Sequence, residues 1–144
     1  MSIDDPFTRL HEHQRRALNV LTRVSEAIDA ERDQASIDLR AEMAVVLRDY
    51  QIFKHEDVFD PAISSGSAER VDLGRKMKIE CIGAGEAVRS HLQRWKEGAV
   101  AADPATYRAA AHLTLNALRR HIAREEEGIT RLLTLLAQEA RAAA

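Results

Sequence analysis

The sequence predicts an all-α fold, an up-down-up-down four-helix bundle, on three observations. Apolar residues recur at spacings of three and four along four long stretches, and no stretch of useful length alternates as a strand does. Asp-Pro opens two of these stretches, at Asp5-Pro6 and Asp103-Pro104, pairing a capping carboxylate with a residue suited to the first helical turn. Only 6 glycines and 3 prolines punctuate the 144 residues, which favours long helices over many short strands and turns. The length suits one domain with one core, spanning residues 1–144.

The first helix is expected from Asp5-Pro6 to about residue 30, on the stripe Leu10, His13, Ala17, Val20, Leu21, Val24, Ala27 and Ile28. His13 lies on that stripe, whereas His11, two residues away, points elsewhere. The polar run Ala30 to Ser36 forms the first connection. The second helix carries Leu39, Met43, Val46, Leu47, Tyr50, Phe53, Lys54 and Val58, and should stop near Asp60-Pro61, because the residue before proline leaves the α region. Ile63 to Asp72, with Ser64-Ser65-Gly66-Ser67, reads as the longest loop. The third helix begins near Asp72, carries Met77, Cys81, Ala84, Val88, Leu92 and Trp95, and ends at Gly98 as a C-cap. The fourth runs from Asp103-Pro104 to about residue 140 on Leu118, Ile129, Leu132 and Leu136.

Composition removes several classes of function. A formal net charge of −2 argues against nucleic acid or an anionic membrane as partner. No apolar run is long enough to span a bilayer, and Met1-Ser2-Ile3-Asp4-Asp5 is acidic with no apolar segment after it, so no signal peptide is read. The one cysteine, Cys81, excludes an internal disulfide and fits a reducing cytoplasm. Phosphate-binding glycine loops, haem-attachment motifs and zinc-finger spacings are absent.

The chemistry of the chain starts at His121 and Glu125, one turn apart on one face of the last helix and inside its apolar stripe. Burying a carboxylate and an imidazole costs several kcal/mol unless a partner compensates, and a metal ion between facing helices is one such partner. The inward stripes of the other helices offer His13, then Tyr50 with Lys54 one turn on, then Cys81 with Glu80 at the stripe edge. Lys54 has two readings: an edge position that sends its amine to water, or a position facing Glu125. The remaining histidines read more blandly: His91 as a boundary residue, His112 as solvated, and His55 as a helix-end residue near the C-terminal dipole. Trp95 reads as a core cap near the bundle end, and Cys81 is either a reactive thiol or a small buried hydrophobe.

His121-x-x-x-Glu125-Glu126 resembles the closing motif of the hemerythrin-like family, the HHE cation-binding domains. Glu56-Asp57-Val58-Phe59-Asp60-Pro61 is similar to the acidic stretch and Leu-Phe-Pro that close the family's second helix, with one residue inserted before the proline. Met77-x-x-Glu80-Cys81-x-x-Ala84-Gly85-Glu86 resembles a segment of the di-iron proteins that repair iron–sulfur clusters, a branch of the same family. The resemblance implies a bundle that holds two irons through histidines and bridging carboxylates and serves oxygen or nitric oxide binding, sensing, storage or cluster repair.

Carried over residue by residue, the resemblance assigns His13, His121 and Glu125 as ligands. It places Tyr50, Lys54 and Cys81 where the family has two histidines and a carboxylate. Three arrangements are open. Lys54 pairs with Glu125 and no metal binds; or one ion, iron or zinc, is held by His13, His121 and Glu125 with Cys81 or Tyr50; or a register shift brings in His55 and Glu56. The leading expectation is an iron-binding domain with an atypical site in a sensing or storage role, its partners a metal ion and a small gas ligand. The rivals are a metal-free bundle for interaction or homodimerisation, and an iron- or thiol-dependent enzyme related to cluster repair.

Overall fold

In a computed structural model that describes residues 5–64 and 66–144, the chain is helical throughout, with no strand among the described residues. The acidic segment before Asp5 and the loop residue Ser65 lie outside the described residues. Helix α1 (Pro6–Asp29) starts where the Asp5-Pro6 signal places it: Asp5 Oδ1 accepts from the backbone N–H groups of Phe7 at 2.8 Å and Thr8 at 3.3 Å. Its inward face packs on α3 (Arg40–Phe53) and α7 (Pro104–Ala143), and α7 packs in turn on α5 (Ala68–Arg94). Leu10, Leu21, Ile28, Ile129 and Leu132 are at most 1% exposed in the shared core, each worth about 1.5–3 kcal/mol by burial.

The second helix departs from expectation at both ends. A short α2 (Asp33–Asp38) precedes it, where a polar connection was expected. Ser36 in that turn is buried, donates to Asp33 O at 2.7 Å and meets the Tyr107 hydroxyl at 2.8 Å, while Arg108 grips Asp33 with two bonds of 2.8 Å. At the other end the chain does not stop at Asp60-Pro61. It passes through a π-helical stretch, Lys54–Phe59, into α4 (Asp60–Ser64). The Asp60 N–H reaches back five residues to His55 O, the hydrogen bond of a wide turn. That widening carries one residue more than an α-turn, and the chain continues through Pro61 without ending the helix. His55 accordingly sits inside the turn, its ring edge-on to Phe59 at 5.3 Å, rather than at a helix end.

Helix α5 begins earlier than expected because Ser67, not Asp72, is its cap, accepting from Arg70 N at 3.3 Å. It ends at Arg94 with Trp95 as C-cap, and Gly98 falls inside a further short helix, α6 (Glu97–Ala102). Close approach of α5 to α4 depends on Gly74, where a β-carbon would lie 3.0 Å from Ala62 Cβ. Trp95 is buried at 5% exposure in the core, as a cap residue should be. The Asp103-Pro104 signal opens α7 as read, with Asp103 Oδ1 accepting from Thr106 N. His112, expected in solvent, is half-buried with Nε2 3.0 Å from Asp29 Oδ1.

Candidate metal centre

His121 and Glu125 point into the bundle from α7 and are 6% and 2% exposed. Their spacing of one turn places His121 Nε2 3.1 Å from Glu125 Oε2, but without the alignment of a hydrogen bond, so this buried nitrogen has no hydrogen-bond partner among the described residues. From α5, Cys81 faces the same point at 3% exposure. Cys81, His121 and Glu125 each present a ligand atom, all within 4.8 Å of one another. From the junction of α3 and the π stretch, Lys54 Nζ donates to both Glu125 oxygens, at 2.9 and 3.1 Å. The Lys54 side chain is buried and does not reach water, which settles its two readings in favour of facing Glu125.

Tyr50 stands one turn before Lys54, with the ammonium 4.1 Å from the centre of its ring. Burial pushes its hydroxyl pKa far up, and the neighbouring Glu125 charge adds to the effect, so the phenol keeps its proton. Gln14 Nε2 donates to that hydroxyl at 2.9 Å and to Ile122 O at 3.3 Å. Gln14 is therefore the residue that α1 sends into the polar cluster. His13 is half-buried and stacks on Tyr50 and Phe53, with ring centres 6.0 and 5.0 Å away. Burial and the nearby Arg16 and Arg9 lower its pKa. It does not join the three converging ligands. Glu56 and Glu80 are exposed.

The electrostatics follow from this geometry. Burial would lower the His121 pKa, but the Cys81 thiol and the Glu125 carboxylate beside it outweigh burial, and the imidazole is pushed up to about 9. Burial would raise the Glu125 pKa; His121 and Lys54 reverse this and hold it below the ordinary value. A cleft of about 330 Å³ leads to the cluster between α3, α5 and α7, walled by Leu47, Val88 and Leu118.

The family model of the hemerythrin HHE cation binding domain matches residues 2–133, nearly the whole chain. The chain belongs to that family. No curated protein and no solved structure matches it. Hemerythrin HHE domains bind metal cations, so the buried cluster can be tested for fit to a metal. One ion fits the donor set. Bonds of about 2.0–2.3 Å to nitrogen, oxygen and sulfur bring ligand atoms on one ion to within a few ångströms of each other, and Cys81, His121 and Glu125 already approach that. Two carboxylate-bridged ions do not fit, since Glu125 is the one carboxylate in the group and an ammonium occupies its other face.

Gln14 was not found by sequence reading, because a glutamine on a helix flanked by His11, His13, Arg15 and Arg16 carries no metal-ligand signal. The available clue was its spacing: Gln14 lies four residues after Leu10 and three before Ala17, squarely on the apolar stripe.

Proposed function

We propose that this chain binds a single metal ion, iron before zinc, through Cys81, His121 and Glu125, in a sensing or storage role. The observation that carries the reading is the convergence of a thiol, an imidazole and a carboxylate within 4.8 Å, with His121 Nε2 buried and lacking an aligned partner. Thiolate, imidazole and carboxylate are ligands for iron or zinc, and a bound ion would supply a Lewis-acidic site for a small ligand entering by the cleft. Tyr50 keeps its proton close to the Glu125 charge, and Gln14 orients its hydroxyl. Lys54 serves as a tethered cation that shares Glu125 with the ion, which accounts for one ion where the family resemblance implies two.

The second reading is a metal-free bundle that acts as an interaction module. It is favoured by the two-point Lys54–Glu125 pair, which neutralises the carboxylate without a metal. Elemental analysis after expression with added iron, zinc or manganese separates the two. About one equivalent in the wild type, falling below about a tenth in Cys81→Ser/His121→Ala, supports the metal site. Wild-type protein with less than about a tenth of an equivalent overturns it and leaves the metal-free reading.

A further inference from the structure

Toward the far end of the bundle from the π stretch, a second polar group sits apart from the metal cluster. Arg40, at the start of α3, lines a small cavity of about 30 Å³ together with His91, Ser36 and Tyr107. Its Nη2 is buried and meets no acceptor, and among the described residues Arg40 forms no ion pair. Arg40 is half-buried, and its guanidinium lies 5.9 Å from the centre of the Tyr107 ring, a contact that leaves Nη2 without an acceptor. The hydroxyls nearby do not compete for an anion: Ser36 gives its proton to Asp33 O, so Tyr107 gives its own to Ser36. Burial and Arg40 itself lower the pKa of His91, which leaves Arg40 as the charge in this cavity.

The cavity is not isolated. Met43, Val88, Leu92 and Leu118 line both it and the larger cleft, an apolar boundary shared by the two, and these four side chains mark the apolar passage that a ligand anchored at Arg40 would follow toward Cys81 and His121. An unpaired guanidinium nitrogen facing a small cavity favours one planar monoanion, and a carboxylate is the planar group whose geometry matches a guanidinium. The space beside Arg40 holds a head group of two or three heavy atoms and no more. The apolar passage takes what is attached to it. Leu47, on the cleft wall, lies seven residues beyond Arg40 on α3 and so about 10 Å along the axis, the length of roughly eight to ten extended carbons.

We propose that this bundle binds a medium-chain monocarboxylate, with its carboxylate on Arg40 and its alkyl chain along the Met43–Leu118 passage. The proposal does not depend on a metal. Titration calorimetry on the purified chain with decanoate, decan-1-ol and formate tests it. Decanoate should bind one to one, about tenfold or more tighter than decan-1-ol, and formate should bind far more weakly than either. Arg40→Gln should remove about tenfold or more of the decanoate affinity and leave decan-1-ol unchanged. Leu118→Trp, which fills the shared wall, should weaken both. Arg40→Lys keeps the charge without the planar fork and should lie between wild type and Arg40→Gln, which keeps the test open if Arg40→Gln does not fold. Decanoate affinity equal to that of decan-1-ol, or unchanged in the folded Arg40 variants, overturns the proposal. Formate binding as tightly as decanoate overturns the alkyl half and leaves a small-anion site.

Discussion

Lys54 and Glu125 meet as a buried two-point pair, the ammonium 2.9 Å from one carboxylate oxygen and 3.1 Å from the other. Any cation that takes Glu125 must share it with Lys54. Replacing Lys54 with Met should therefore act in opposite directions on the two forms of the protein. In chelator the variant loses about 3–5 kcal/mol, toward the lower figure because His121 still faces Glu125. With zinc present its gain over the chelated state should exceed that of the wild type. Urea denaturation under both conditions measures this, and equal zinc stabilisation of the two proteins would remove Lys54 from the metal's competition.

The resemblance to other hemerythrin-like chains places a histidine at Tyr50 and a carboxylate at Lys54. Tyr50→His/Lys54→Glu should then raise metal content from about one equivalent toward two, read by elemental analysis of iron-supplemented protein. A double variant that still holds one equivalent would mean that more than these two side chains limits the site.

The pH profile has a defined sign. The His121 pKa is raised from 6.5 to about 9 in the fold, so its contribution to metal-free stability is complete below 6.5 and is lost as pH rises through about 9. The Glu125 pKa is lowered from 4.5, so its contribution is complete above 4.5 and is lost as pH falls through the lowered value. The groups facing His121 and Glu125 from the packed elements are Lys54, Tyr50 and Cys81. Chelated protein should thus be most stable between these limits. Metal binding needs the neutral imidazole, so metal affinity should climb across the same alkaline window in which the chelated fold weakens. In His121→Gln the alkaline decline should flatten; a decline that persists unchanged assigns it to another group.

Gln14 and His13 are neighbours in sequence with different duties. Gln14→Leu leaves Tyr50 and the Ile122 carbonyl without their donor and should cost about 1–3 kcal/mol in urea denaturation. His13→Ala removes ring stacking from a half-buried site and should cost about 0.5–1.5 kcal/mol. Metal content should be unchanged in His13→Ala. A loss of bound metal in that variant would return His13 to the ligand set.

The elements most legible in the sequence were those with local causes. Asp5-Pro6 and Asp103-Pro104 each place a side-chain acceptor beside free helical N–H groups within the same few residues, so both helix starts could be read directly. The stop expected at Pro61 failed because the chain met the proline with a wider turn, an adjustment made by hydrogen bonds five residues long that no local propensity specifies. The α5 start shifted for a smaller reason: Ser67 and Asp72 are both acceptable caps, and Ser67 is the one whose oxygen meets a helical N–H.

In the site, sequence alone determined that His121 and Glu125 share a buried face, because a four-residue spacing on an apolar stripe leaves no other outcome. It also put Tyr50, Lys54 and Cys81 on inward stripes. What only the tertiary structure decided was which atoms meet. The rotation of α1 brings Gln14 to the Tyr50 hydroxyl and leaves His13 stacked on the Tyr50 ring, and the packing of the α3–π junction against α7 turns Lys54 from a snorkelling edge residue into the partner of Glu125. Stripes fix a face to within a residue or so, about 100° of helix rotation, whereas a hydrogen bond requires a few tenths of an ångström. That precision comes from side chains interlocking across helices far apart in sequence, and it is absent from any one helix read alone.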